Sequence, residues 1–264
     1  MKNNTSRELL QIQPTMLEDL GPDDNLSSGR FGTVCLKKFR STPVAVKYLE
    51  SSSVKEVQRE ASFLDKCCHI NLPIIFGVNT MQKPYFIVAE FYGNGSFKAL
   101  TLRELLHKDE EHIKSYVNGP EYWLHLSFQI TDSICYLHTM GVLHNDIKTD
   151  NIVVSVSPVN VITPILIDFS KATLISEGKI KVLTAAEKDR YRKEHMQIAP
   201  ELIEGTHPQS VKSDIYSLGI VFASIYKFTK YKPIKELAKK SLMPFQTRCT
   251  SSEILAILMD LMKV

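Results

Sequence analysis

Residues 142–154 read VLHNDIKTDNIVV, and no other stretch restricts the fold of this chain as much. Within it, His144, Asp146, Lys148 and Asn151 make the spacing H-x-D-x-K-x-x-N. Charges set this close to almost wholly apolar runs are costly unless they are paired or have a task. The segment before it, 121–140, places Leu124, Phe128, Ile130, Ile134 and Leu137 on roughly one side, as a helix would. NIVVSV after it is a short apolar strand, and so is PILIDF, which carries Asp168. A helix and two strands bracket one knot of polar groups.

The rest of the pattern divides in two. Residues 24–50 read as strand, turn, strand, turn, strand, with small residues at 27–29 and Thr42-Pro43 at the second turn. Residues 51–68 open with a serine run able to cap a helix, on which Val57, Ala61 and Leu64 recur at helical spacing. PYFIVAEFY (84–92) reads as a buried strand, broken by Gly93-Asn94-Gly95. Beyond that break, helices are expected at 96–107, at 121–140, from 210 (SVKSDIYSLGIVFASIY) and at the end (TSSEILAILMDLMKV). The helix from 210 is apolar enough all round to be buried. The expectation is an α+β fold of two lobes with a cleft between them and a hinge near 91–95.

A chain of 264 residues can bury a substantial core. A net charge of +3 is too weak to argue nucleic-acid or membrane-surface binding. The N-terminus has no apolar stretch that could act as a signal peptide, and no run approaches the roughly 20 apolar residues of a membrane helix. Five cysteines, with Cys67 and Cys68 adjacent, fit reduced thiols better than a disulfide framework or a zinc site. A cytosolic or nuclear protein without nucleic-acid or membrane partners is expected; the sequence leaves its oligomeric state open.

The polar knot suits phosphoryl transfer, which asks for positioning and charge neutralisation more than for covalent help. An aspartate such as Asp146 can orient a hydroxyl and accept its proton, and Lys148 can neutralise the moving phosphoryl group. The amide oxygen of Asn151 and the carboxylate of Asp168 are hard donors of the kind Mg²⁺ prefers. LSSGRFGTV (26–34) is a small-residue turn whose backbone N–H groups can approach a phosphate, with Phe31 as a cap; a plain hairpin turn is the alternative. Lys47 lies in the apolar strand VAVK, where the alternative is an edge-strand lysine facing water. Glu60 on the next helix is its candidate partner, against a solvated helix glutamate.

Taken in order, these segments resemble the eukaryotic protein kinase family over nearly the whole chain. LSSGRFGTV resembles the glycine-rich loop, VAVK the ATP-lysine strand, and REASFLDKCCHINL the regulatory helix. HNDIKTDN resembles the catalytic loop, DFS the metal-binding DFG, and Ala199-Pro200-Glu201 the APE that closes the activation segment. SDIYSLG resembles the buried helix start whose aspartate, Asp214, holds the catalytic loop, and Arg248 matches the arginine that pairs with the APE glutamate.

The resemblance implies an N-terminal extension over 1–22, an N-lobe over 23–92 and a C-lobe over 93–264. It implies Asp146 as catalytic base and Lys148 as phosphate-stabilising lysine, the serine/threonine rather than the tyrosine pattern. Asn151 and Asp168 would hold Mg²⁺, and Lys47, paired with Glu60, the α/β-phosphates of ATP. Ser27, Gly29 and Gly32 would form the phosphate loop. Adenine would lie between Val34 and Ala45 above and Val153 below, bonded to the backbone of Glu90 and Tyr92. Ala89 would be a small gatekeeper that opens a pocket behind adenine. Leu64, Ile75, His144 and Phe169 fit the apolar stack that links the lobes. The implied partner is a protein substrate.

The departures from the family pattern are specific. Ser27 replaces the first loop glycine, which predicts weaker or slower ATP handling. Ser170 replaces the DFG glycine and is expected to be penalised by about 1 kcal/mol at positive φ, restricting flipping of the segment. Glu194 stands where serine/threonine kinases usually show a threonine, and is expected to pair with Lys148 and reshape substrate entry. The stretch between Glu201 and Arg248 is short for the family. Asn145 replaces an arginine that meets a phosphate on the activation segment, a bidentate contact that an amide cannot reproduce. Activity independent of phosphorylation at Thr173, Ser176 or Thr184 is expected. An active serine/threonine kinase is the leading reading. Its rivals are a pseudokinase scaffold and a small-molecule phosphotransferase of the aminoglycoside or choline type, the latter opposed by the APE triplet, SDIYSLG and Arg248.

Overall fold

The computed structural model describes residues 9–21, 25–29, 32–93, 98–107, 119–156 and 161–263, with the side chains at 25 and 27–29 outside the description. Two compact units make up the chain, Met1–Cys68 with Pro73–Tyr92 and His69–Leu72 with Gly93–Val264. Asn94 and Gly95, part of the expected break, lie outside the described residues.

The first unit is built on an antiparallel sheet of β1 (Leu17–Asp19), β2 (Asn25–Gly29), β3 (Gly32–Phe39), β4 (Thr42–Tyr48), β5 (Ile75–Asn79) and β6 (Phe86–Glu90). The strand order is β1-β3-β4-β6-β5, with β2 also paired to β3. Strand alternation sorts the side chains onto two faces. On one face Phe39, Val44, Val46, Phe86 and Val88 form a core together with Ile12. Ile12 arrives from the segment ahead of β1, where its N–H donates to Val78 O (2.7 Å) and the Val78 N–H to Leu10 O (2.9 Å). Gly77 makes this approach possible, because a Cβ there would lie 2.3 Å from Leu10 O. Ile12 in the core, the Gln11–Val78 bridge and β1 therefore tie this segment to the sheet.

The turn joining β3 to β4 is Arg40-Ser41, at φ 48° and 65°, and not Thr42-Pro43 as the composition suggested. These angles are those of the two-residue type I′ hairpin, which needs positive φ at both positions and costs a non-glycine residue roughly 1–2 kcal/mol at each. Pro43 instead is the second residue of β4, opposite Lys38 and ahead of the first β6 partner pair Val44↔Glu90, so its missing N–H breaks no bond to β6. Helix α1 (Val54–Lys66) starts at a reciprocal cap between Ser53 and Glu56 and buries Val57, Glu60, Ala61, Phe63 and Leu64.

The second unit is mostly helical. The helix expected over 96–107 contracts to one turn, α2 (Leu102–Leu105), capped by Thr101 and Glu104; residues 96–97 lie outside the description. It is followed by α3 (Pro120–Thr139), β7 (Val142–Leu143), β8 (Ile152–Val156), β9 (Ile162–Leu166) and β10 (Thr173–Leu174). Next come α4 (Ala185–Glu194), α5 (Pro200–Glu204), α6 (Val211–Thr229), α7 (Lys232–Ser241) and α8 (Ser251–Met262). β8 pairs with β9 and β7 with β10, both antiparallel. Helix α8 lies on α3 and α7 on α6. Ile134, Leu137, Leu218, Phe222, Ile254 and Leu258 are fully buried in this unit. Among the described residues no helix is long and apolar enough to cross a membrane, and all five cysteines are free thiols.

Candidate active site

In the first unit, the sheet face opposite the Ile12 core carries Val34 on β3, Ala45 and Lys47 on β4, and Ala89 on β6. Val34 stands directly across from Lys47, and Ala45 from Ala89. The pleat alone gathers these four expected nucleotide residues. Lys47 is not on an edge, since β4 runs between β3 and β6. Its Nζ lies 2.7 Å from Glu60 Oε1, and the Glu60 side chain is only 6% exposed. The suggested ion pair is thus formed. Gly32 sits at φ 132° with room for no Cβ, which would fall 1.9 Å from Tyr48 O, so β4 demands this glycine whatever the loop binds. Ser27 and Gly29 pair with Val34 and Gly32 along β2; the Ser27 side chain, Arg30 and Phe31 lie outside the described residues. The Tyr92 hydroxyl donates to Glu90 Oε2 (2.8 Å) and accepts the Ile74 N–H (3.1 Å). Burial pushes its phenol above the ordinary value.

In the second unit the H-x-D-x-K-x-x-N segment links β7 to β8, and Asp214 in the first turn of α6 holds it. Its carboxylate accepts the backbone N–H groups of His144 (2.8 Å) and Asn145 (2.9 Å), and His138 Nε2 lies 3.2 Å away. Asn145 takes φ 63°, a left-handed step that asparagine tolerates better than most side chains. Asp146 follows, buried, with Lys171 Nζ 2.9 Å from Oδ1 and Asn151 Nδ2 3.1 Å from Oδ2. Lys148 Nζ lies 3.2 Å from the same Oδ2. Burial alone would raise the Asp146 pKa, but the Lys171 and Lys148 ammoniums outweigh it and hold the carboxyl below its ordinary value. Asp146 is therefore ionised at neutral pH.

Asn151 also donates from Nδ2 to the Asp146 carbonyl (2.9 Å), which turns its Oδ1 away from that residue. Asp168 sits at φ 68° and accepts the Ser170 N–H at 3.3 Å. An amide oxygen and a carboxylate fit Mg²⁺, which takes one or two protein oxygens and fills its remaining positions with water and phosphate. Among the described residues no group of three or more His, Cys, Asp or Glu could hold a metal by itself. Val153 lies buried on β8.

His144 is wholly buried, with Nε2 3.1 Å from Ile167 O and its ring edge-on to Phe169 at 5.0 Å. Burial lowers its pKa against the pull of Asp214, Asp168 and Asp146. The unfolded chain takes up this proton near about pH 6.5 while the folded chain does not, so stability is lost as pH falls below that value. Replacing His144 with phenylalanine removes the uptake. The urea midpoint of H144F should then drop less than that of the wild type between about pH 8 and pH 5.5; equal drops would exclude His144 as the source.

Glu201 on α5 and Arg248 ahead of α8 form a buried fork, with Nη1–Oε1 2.5 Å and Nη2–Oε2 3.0 Å. Two expectations are corrected. Glu194 ends α4, exposed, and lines a cavity of about 250 Å³ with Lys148, Asp150, Gln197 and Val221, but Lys148 pairs with Asp146 instead. The buried carboxylate wins because attraction is stronger out of water. Ser170 takes an ordinary φ, since the left-handed steps fall on Asn145 and Asp168, so serine carries no such penalty here. Asp150 meets Arg103 at 3.1 Å. Lys171 was missed altogether, because a lysine after DFS matches no pattern. Helix α4 was missed too, although Thr184 and Glu187 form the T-x-x-E cap that announces a helix start.

The family model for the protein kinase domain matches residues 22–259. A probable serine/threonine-protein kinase gdt4 of Dictyostelium discoideum is 30% identical over 83% of this chain and 12% of its own length. Serine/threonine-protein kinase chk-2 of Caenorhabditis elegans is 28% identical over 80% of this chain and 43% of its own. Tyrosine-protein kinase SPK-1 of Girardia tigrina is 30% identical over 82% and 42%. The chain spans less than half the length of each of these relatives. The strand-rich and helical units, the Lys47–Glu60 pair and the Asp214-held loop agree with the match, and the chain belongs to the protein kinase family.

Proposed function

We propose that the chain transfers the γ-phosphoryl group of Mg-ATP to serine or threonine hydroxyls of protein substrates, without needing a phosphate on its own activation segment. The observation that carries this reading is the Asp146 carboxylate, buried, ionised and held by Lys148, Asn151 and Lys171. The acceptor hydroxyl donates to Asp146 and passes its proton there as its oxygen bonds to the γ-phosphorus; the bond to the β–γ bridging oxygen breaks and ADP leaves with that electron pair. Lys148 neutralises the moving group, and Lys47, set by Glu60, takes the α/β-phosphates. The backbone of Glu90 and Tyr92 takes adenine. Asn151 and Asp168 would hold Mg²⁺, which when bound neutralises phosphate charge. Lys148 two residues after Asp146 supports the serine/threonine class.

Independence from phosphorylation is supported by Asn145, whose Nδ2 donates to Lys171 O (3.0 Å) and Thr173 Oγ1 (2.9 Å). Neutral bonds tie the segment start to the catalytic loop, and β10 adds its pairing with β7. A peptide library assayed with Mg-ATP, before and after phosphatase treatment, tests the reading. Transfer to serine or threonine, unchanged by phosphatase, is expected. Transfer abolished by phosphatase and restored by acidic residues at Thr173, Ser176 or Thr184 would refute independence. Nucleotide-dependent thermal stabilisation with no transfer would make the chain a nucleotide-binding pseudokinase.

A further inference from the structure

We propose that Lys171, which no motif marks, is a positioning residue for the catalytic carboxylate of Asp146, and that Asn145 delivers it. The proposal rests on the reading of the site as a phosphotransferase. An ionised carboxylate offers about four lone-pair sites. At Asp146 three have partners: Lys148 and Asn151 on Oδ2, and Lys171 on Oδ1. The site left on Oδ1 is the one for the acceptor hydroxyl. Lys148 and Asn151 bear on the same oxygen, so by themselves they leave the carboxylate able to swing about its Cβ–Cγ bond. Lys171 grips the opposite oxygen and stops that swing, which fixes the direction of the remaining lone pair.

The placement of Lys171 has a visible cause. A lysine ammonium is strongly hydrated and long-stemmed, and its ordering against a buried carboxylate needs both charge and a fixed main chain. The charge is that of Asp146. The main chain is fixed by Asn145, which holds Lys171 O and Thr173 Oγ1 with one amide group. Asn145 can do so because the Asp214 carboxylate pins its own N–H at 2.9 Å. The residue that stands in for the family's phosphate-sensing arginine thus acts on the same catalytic carboxylate, through the backbone of the segment.

Lys171→Met and Lys171→Arg, assayed with Mg-ATP on the best wild-type peptide and unfolded in urea, test this. K171M should lower kcat on the order of 10- to 100-fold, the scale of a misplaced catalytic group, with KM for ATP and the urea midpoint unchanged. K171R, which keeps the charge, should recover most of the loss. A K171M kcat equal to or above that of the wild type overturns the proposal and leaves phosphotransfer standing. A loss seen in KM for ATP or in the midpoint also overturns it. A wild-type protein that transfers phosphate to no acceptor overturns the functional reading itself, and the proposal with it.

Discussion

Replacing Asp146 with asparagine is expected to lower γ-phosphate transfer on the order of 10²–10⁴-fold, the usual cost of losing a positioned general base. The change is nearly isosteric but removes the negative charge and one oxygen. The substrate hydroxyl then has no base to receive its proton. Lys148 and Lys171 lose their anionic partner, yet their side chains are 31% and 40% exposed, so both ammoniums can turn to water. The fold should therefore survive, and nucleotide should still raise the melting temperature. Initial rates with labelled ATP, measured beside melting curves with and without nucleotide, check both halves. Transfer within about threefold of the wild-type rate would take Asp146 out of the proton path.

The second large effect falls on stability. Arg248, 4% exposed, gives its fork to Glu201 and also donates from Nη1 to Lys212 O (2.7 Å) and from Nε to Met243 O (3.0 Å). Arg248→Met strands a buried carboxylate and two carbonyls, and should cost about 3–5 kcal/mol. Combining it with Glu201→Gln removes the stranded charge, so the double variant should be more stable than R248M alone. Recovery stays incomplete, because the two carbonyls still lack their donor. Urea midpoints of the two single variants and the double variant measure this. A loss below about 1 kcal/mol for R248M would class the fork with exposed ion pairs.

What the sequence made legible follows from how far apart in the chain the cooperating groups lie. The catalytic loop is readable because four of its polar groups fall within eight residues, and one aspartate, Asp214, fixes that short segment as a unit. Lys47 and Glu60 could only be suspected, since two residues 13 positions apart meet only once a strand and a helix have packed. Lys171 left no trace, because its role depends on a bond from Asn145 to its backbone, and backbone bonds leave no signature in residue type. Glu194 misled because residue type gives the charge but not the competitor; Asp146 is nearer and drier. Ser170 misled for a related reason, since a glycine in a family pattern does not say which conformation demands it. The Arg40-Ser41 turn was invisible because neither residue prefers positive φ.

The family match begins at residue 22, whereas Ile12 already sits in the core of the sheet and Gln11 lies beside Val78 on β5, the outermost strand. Residues 10–12 therefore cover the β5 edge, and Ile12 fills the core. A chain shortened to the family boundary would bare both the β5 edge and the apolar surface around Val44, Val46 and Val88. Bare edges with apolar flanks recruit further strands. The consequence is one of self-association: removing residues 10–12 should favour edge-to-edge pairing between copies of the chain.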